Sequence, residues 1–413
     1  MLATVPAGAH GIGGLVPDVA SGTHLSHTPM ARAAGLFWGD GPVLHSNRTH
    51  VVFWTPSGST LAYDPGYEPL VARFLTQVAA DSHHATNVYG LSGQYSDTNG
   101  PAAYDSRFDG AVVATDPLPP SACVEPPATG PGWLTCLTDA QLQSELETVV
   151  SADHLPRAAN DIYFLVLPDG LGTCTDSTSS QCALGGSSNN GYCGYHSQTD
   201  SGLLYAVIPY NAVSGHCQSG NPRPNASSAD PALSTISHEH NETVTDPQAY
   251  SGWTDGNLQE DGDLCITQFG AALGGSEDSA FNETIAGGHY FLQKEWSNEN
   301  GGCAPRDESD PVSFAAPGRV SAGRALPLVG RASDPDGRIA AWAWHFGDGT
   351  AGAHTRASTH VYRHRGTYHV LLRVADSAGN WATFTRTVRV SPAVPKRSPR
   401  RVASKRPSAA RRV

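Results

Sequence analysis

The chain has 413 residues, enough for two or more domains that each bury a core of their own. No apolar run approaches the ~20 residues of a membrane-spanning helix, so a helical membrane protein is excluded. The formal charge of −12 is unevenly spread: residues 1–311 hold 34 acids and 8 basic residues, residues 312–391 hold 4 and 10, and residues 392–413 hold none and 8. Three segments of different charge predict three roles. A content of 44 Gly and 30 Pro with 15% charged residues and an even 8 Cys reads as a loop-rich extracellular or cell-surface protein.

Residues 1–42 lack periodicity and are expected to form a leader or flexible segment; their start, MLATVPAGAHGIGG, shows no basic stretch followed by an apolar core, so no signal peptide is visible in it. HVVFWTP (50–56) has the content of a buried strand, and 67–80 repeats apolar residues at helical spacing. A strand is predicted over 111–114, then a helix over 140–150 capped by Thr138 or Asp139, and strands at DIYFLVLP (161–168) and LLYAVIPY (203–210). This alternation predicts an α/β or α+β domain over 43–304. LLYAVIPY, the last strand before the central helix, reads either as a plain core strand or as the edge that takes an extended peptide by strand addition.

The central helix is DPALSTISHEHNETVTD (230–246), opened by Asp230 and Pro231 and stopped at the Asp246–Pro247 pair. Within it His238, Glu239 and Glu242 stand in the order H-E-x-x-E. Residues four apart share a helix face, so His238 and Glu242 can hold one metal ion, while Glu239, about 100° around, can take a proton from a water beside it. The pattern is the zinc-peptidase H-E-x-x-H with a carboxylate in place of the second histidine. That carboxylate is a harder ligand, so zinc is expected with manganese or calcium left open. His240 points about 200° away from His238.

The eight cysteines contain no C-x-x-C, which argues against a redox site or a structural zinc knuckle. Sequence alone does not fix their pairing, but short loops favour Cys123 with Cys136 and Cys174 with Cys182, leaving Cys193 with Cys217 and Cys265 with Cys303. A serine hydrolase is disfavoured because no G-x-S-x-G occurs. After the helix comes an acidic loop, GWTDGNLQEDGDLC (252–265), carrying Glu260, Asp261 and Asp263. Residues 276–296 read as a helix in two pieces broken at Gly287–Gly288, with His289 just past the break.

SHEHNETVTDP, SGW, EDGDLC and YFLQKEWSNENGGC, together with YCGYHS (192–197) and VLHSNRTHVVFW (43–54), resemble the phosphate-induced (Exordium-like) protein family and its bacterial relatives described as secreted metallopeptidases. The resemblance spans 43–303 and implies an extracellular location and a zincin-like helix, with His238, Glu239 and Glu242 carried over directly and Glu260, Asp263 and Cys265 falling on the acidic loop. For a third metal ligand Glu260, Asp263, Asp246, His196 and His289 are candidates, and a carboxylate of the acidic loop is favoured because that loop belongs to the family pattern.

Beyond a linker at 305–311, residues 312–391 resemble a PKD domain, an immunoglobulin-like β-sandwich. The resemblance is carried by Asp334–Gly337, Trp344, the FGDG run at 346–349, Tyr362 and the GTY at 366–368. The tail 392–413 has too little apolar surface to fold and reads either as a disordered solubilising end or as a segment that attaches to anionic cell-wall polymer or membrane, or to nucleic acid non-specifically. The expectation is a secreted metal-dependent hydrolase, a zinc peptidase acting on protein or peptide, with cell-wall or extracellular polysaccharide contacted through the PKD domain and tail and no specific nucleic acid. The alternative is a non-catalytic surface-binding protein with a structural metal site.

Overall fold

The computed structural model describes residues 13–17, 35–84, 86–123, 133–178, 181–184, 191–306, 312–332, 338–376 and 381–393. The basic tail from 394, the Asp334–Gly337 turn and most of the linker and leader lie outside them. The chain divides into two compact units, and the second begins at Val312.

In the first unit the elements run β1 Gly13–Pro17, β2 Asn47–Trp54, α1 Tyr67–Ala80, β3 Ser106–Ala114, β4 Thr135–Thr138, α2 Asp139–Ala152, β5 Asp161–Val166, β6 Leu171–Cys174, β7 Cys182–Ala183, β8 Gly191–Gln198, β9 Leu204–Ile208 and α3 Asp230–Thr245. Strands predominate, and most join one sheet in the order β3-β2-β5-β9-β8-β7-β6-β4, with β1 also pairing β8. The run from β3 to β9 is parallel, and β8 turns antiparallel to β9, with His196 opposite Ala206.

Parallel strands buried on both faces read as unbroken apolar runs, and DIYFLV is one. Alternate residues divide between two cores. Val51, Phe53, Ile162, Phe164, Leu204 and Ala206 pack with α1 and α3, while Val52, Trp54, Tyr163, Leu165, Tyr205 and Val207 pack with α2. Helix α1 follows Gly66, whose φ of 86° only glycine adopts freely, and α2 opens on a capping box between Thr138 and Gln141.

Three sequence expectations are corrected. LLYAVIPY offers no edge, because β9 is hydrogen-bonded to β5 on one side and β8 on the other. The segment 276–296 is not a helix: Glu283–Ile285 and Gly288–Tyr290 form a hairpin whose turn residues Ala286 and Gly287 both have positive φ (44° and 82°), and Glu295–Ser297 pairs with Gly302–Ala304. Two central residues of positive φ define the turn that matches strand twist, and this outweighs the helical spacing. Third, Gly13–Pro17, placed by sequence in a flexible leader, forms a strand antiparallel to β8 in which Gly13 pairs with His196 and Val16 with Gly194. Val16 is fully buried.

The cysteines form four disulfides, Cys123–Cys136, Cys174–Cys182, Cys193–Cys217 and Cys265–Cys303, the pairing that loop length favoured.

The second unit has β10 Ser313–Ala315, β11 Arg319–Ser321, β12 Ala325–Arg331, β13 Ile339–His345, β14 Ala357–Val361, β15 Gly366–Asp376 and β16 Trp381–Ser391. They form two sheets, β10-β12-β14 and β11-β16-β15-β13. Strand β12 alternates buried and exposed residues along its whole length, as one face of a sandwich requires. Trp344 and Tyr362 fill the core, and the Tyr362 hydroxyl donates to the Phe346 carbonyl at 2.8 Å. In the GDG turn Gly347 takes φ 78° and lies so close to His369 that a Cβ would stand 2.5 Å from its carbonyl oxygen.

Candidate metal centre

Helix α3 begins at Asp230 with Pro231 in its first turn and ends at Asp246, where the backbone leaves the helical region. All sixteen of its residues are buried, polar and charged ones included. The Asp246 carboxylate accepts from the amides of Tyr250 at 2.6 Å and Gly252 at 2.7 Å, so it organises the loop after the helix and is not free to serve as a ligand. His240 faces the opposite side, bonded to Asn47 Oδ1 at 2.9 Å and edge-on to Tyr89 and Phe164, and burial lowers its pKa to about 3. His289 is exposed on its hairpin, stacked on Phe281. Both are structural.

On the working face His238 Nε2 stands 2.9 Å from Glu242 Oε1 and 3.8 Å from Asp263 Oδ1. Asp263 arrives on the acidic loop, and its own amide donates to Glu242 Oε1 at 3.0 Å. The loop can lie across the imidazole only because residue 262 is glycine: a Cβ there would sit 2.6 Å from His238 Nδ1. Gln293 Nε2 holds the Gly262 carbonyl at 3.0 Å, and the Cys265–Cys303 disulfide ties down the end of the loop.

The second imidazole comes from β8. Strand periodicity turns Gly194 and His196 toward α3, and the missing side chain at Gly194 makes room for Glu239, whose Oε1 would stand 3.0 Å from a Cβ there. His196 Nδ1 lies 3.3 Å from Glu239 Oε2 and 3.7 Å from Glu242 Oε2. On its far side Nε2 lies 3.3 Å from the Asp246 carbonyl oxygen and 3.6 Å from Glu260 Oε1. The Cys193–Cys217 disulfide anchors this strand three residues earlier.

The site thus joins His238, Glu242 and Asp263 in one three-donor group and His196, Glu242 and Glu260 in another. A third cluster of donors, Cys123, Cys136 and Cys174, is two disulfides lying side by side and offers no thiolate.

Burial and charge are in conflict throughout. Desolvation raises Glu239 and Asp261 to about 7 and pushes Glu260, Asp263 and Glu295 well above the usual carboxylate range. Burial alone would neutralise His196 and His238. The surrounding acids, Glu260 foremost for His196 and Glu242 for His238, instead hold both pKa values well above the usual one. Burial would raise Glu242 too, but its two histidine neighbours bring it below the ordinary value. His238 Nδ1, Glu242 Oε2, Glu239 Oε1 and both oxygens of Glu260 are buried with no hydrogen-bond partner, and His238 Nε2 meets only the Glu242 and Asp263 carboxylates. Each orphaned polar atom costs about 1–3 kcal/mol, more for a charged group, so the cluster is a candidate for holding a cation. A divalent ion fits this donor set of imidazole and carboxylate oxygens.

Sequence reasoning found His238, Glu239, Glu242, Glu260 and Asp263, and the structure brings all five together. It ranked His196 only among several candidates and missed Gly194 and Gly262. Their signal was present in YCGYHS and EDGDLC, where a glycine stands two residues before a histidine in a strand and between two acids in a loop.

Residues 308–391 match the PKD domain family, which identifies the second unit. A microbial collagenase of Vibrio alginolyticus is 39% identical over 88 residues, 19% of this chain and 11% of the collagenase. The chain therefore spans only a small part of that relative. Two solved domains are similar: the PKD1 domain of Vibrio anguillarum Epp (28% identity, 21% of this chain and 99% of that one, TM-score 0.19) and the PKD1 domain of the Vibrio cholerae metalloprotease PrtV (29%, 20% and 98%, TM-score 0.19). Among the described residues no helix is long and apolar enough to cross a membrane.

Proposed function

We propose that residues 43–304 form an extracellular, zincin-like metal-dependent peptidase domain, related to the Exordium-like family, with the PKD domain as its accessory module. The observation that carries this reading is the set of buried, unpartnered donor atoms on His238 and Glu242 beside Asp263. The distances of 2.9 and 3.8 Å bracket the about 3.3 Å that separates ligands around a tetrahedral zinc with 2.0–2.1 Å bonds. Zinc fits, and a bound divalent ion would polarise a scissile carbonyl and acidify a water.

Glu239 is the general base. Oε1 is unpartnered while Oε2 faces His196, which leaves one carboxylate oxygen free to take a proton. The substrate is protein or peptide, and the +6 PKD domain with the basic tail supplies contact with anionic wall polymer or other extracellular polysaccharide.

The test separates ligand from base. Glu239→Gln should keep the metal and lower turnover on a denatured protein substrate by about 10²–10⁴-fold. Glu242→Ala and His238→Ala should lose the metal, measured by elemental analysis, and activity with it. A metal-free wild type matching all three variants would end the hydrolase reading. Metal retained with turnover unchanged in Glu239→Gln would make the site structural and the protein a surface-binding one.

A further inference from the structure

We propose that the site is built for two divalent cations bridged by Glu242, an inference that rests on the metal reading above. Each imidazole belongs to its own three-donor group, and Glu242 is the member common to both. The two oxygens of that carboxylate face different partners. Oε1 is 2.9 Å from His238 Nε2 and accepts the Asp263 amide, whereas Oε2 is 3.7 Å from His196 Nδ1 and accepts no hydrogen bond. A carboxylate used in this way holds two ions about 3.5–4 Å apart, the spacing of two-metal hydrolytic sites.

A single ion at His238, Glu242 and Asp263 leaves much of the cluster unexplained. Glu260 is fully buried and neither of its oxygens has a hydrogen-bond partner. Its nearest ionic contact is His196 Nε2 at 3.6 Å, and His196 is itself fully buried. Both imidazole nitrogens face carboxylate oxygens of the cluster: Nδ1 lies 3.3 Å from Glu239 Oε2 and 3.7 Å from Glu242 Oε2, and Nε2, 3.3 Å from the Asp246 carbonyl, is the nitrogen that meets Glu260.

The facing carboxylates are Glu239, Glu242, Glu260 and Asp263, with Asp261 and Glu295 behind them, and the described ion pairs of this cluster involve only His196 and His238. Each group offers one nitrogen and two carboxylate oxygens, a set that takes zinc or manganese.

The full-length protein, stripped by chelator and reloaded with Zn²⁺ alone or Mn²⁺ alone, tests this by native mass spectrometry and elemental analysis. Two equivalents per chain are expected, with a spin-coupled electron paramagnetic resonance spectrum in the manganese form. Glu260→Gln and His196→Asn should each retain one equivalent and show an uncoupled spectrum. One equivalent in the wild type would overturn the two-cation site and leave the hydrolase reading standing. Two equivalents that persist in Glu260→Gln would overturn the assigned ligands, and none would overturn both readings. The wild-type count and spectrum stand without any variant, should a variant fail to fold.

Discussion

Helices α1 and α3 pack on the same face of the sheet, yet they are built on opposite principles. α1 buries Tyr67, Leu70, Val71, Phe74, Leu75 and Val78 and leaves its other side to solvent, so the 3.6-residue period is written in its sequence. α3 buries every residue, and apolar Leu233, Ile236 and Val244 share it with His238, Glu239 and Glu242. One helix stabilises the fold with apolar surface. The other gathers buried charge that, on the metal reading proposed above, a cation would relieve, so on that reading α3 draws stability from a ligand and α1 does not.

The largest expected effect lies in α1. Phe74→Ala removes a fully buried ring packed edge-on to Tyr290 at 4.8 Å and should cost about 3–5 kcal/mol in chemical unfolding. Metal content should not change, and a loss of metal would dissolve the distinction between the helices. Next comes chelation of the wild type. Ion at 100–1,000 times its dissociation constant adds about 2.7–4.1 kcal/mol. Its removal should lower the melting temperature by roughly 10 °C in calorimetry, by the same amount in the Phe74→Ala background, and an unchanged melt would mean that α3 tolerates its orphaned charges unaided.

Gly262→Ala sharpens the contrast at one atom. The new methyl would press on the His238 ring, so metal affinity by competitive titration should fall about 10–100-fold, and the chelated protein should melt lower as well by the cost of overpacking, about 1–3 kcal/mol. The smallest effect concerns Glu283, remote from the metal groups, which burial raises to about 8 from 4.5. The folded state keeps a proton that the unfolded chain releases, so this residue's contribution is present below about pH 4.5 and is lost as pH rises to about 8. Glu283→Gln should flatten that decline by about 1–2 kcal/mol. A decline of equal slope in the variant would assign it to other groups.

The difference between the helices also explains what the sequence could tell. The bounds of α1 followed from periodicity to the residue, and α3 followed from Pro231 and the Asp246–Pro247 stop. The strand DIYFLV was legible because burial on both faces makes an unbroken apolar run. The segment 276–296 was not, because the two positive φ values at Ala286 and Gly287 prevail over local spacing. At the site, residues on one helix could be grouped by angle. His196 could not, since what brings it to Glu242 is the register of β8 against β9, a non-local pairing that no window of sequence contains. Gly194 and Gly262 act through the atoms they lack.

Strand β1 shields an edge. Its backbone pairs with β8 from Tyr192 to His196, alongside the histidine that faces α3. Loss of the first 34 residues would leave that stretch as a bare row of amide and carbonyl groups, a template on which a second copy of the chain could add a strand. The five residues GGLVP therefore guard colloidal behaviour as well as fold, and a trimmed preparation would show its defect first as concentration-dependent turbidity.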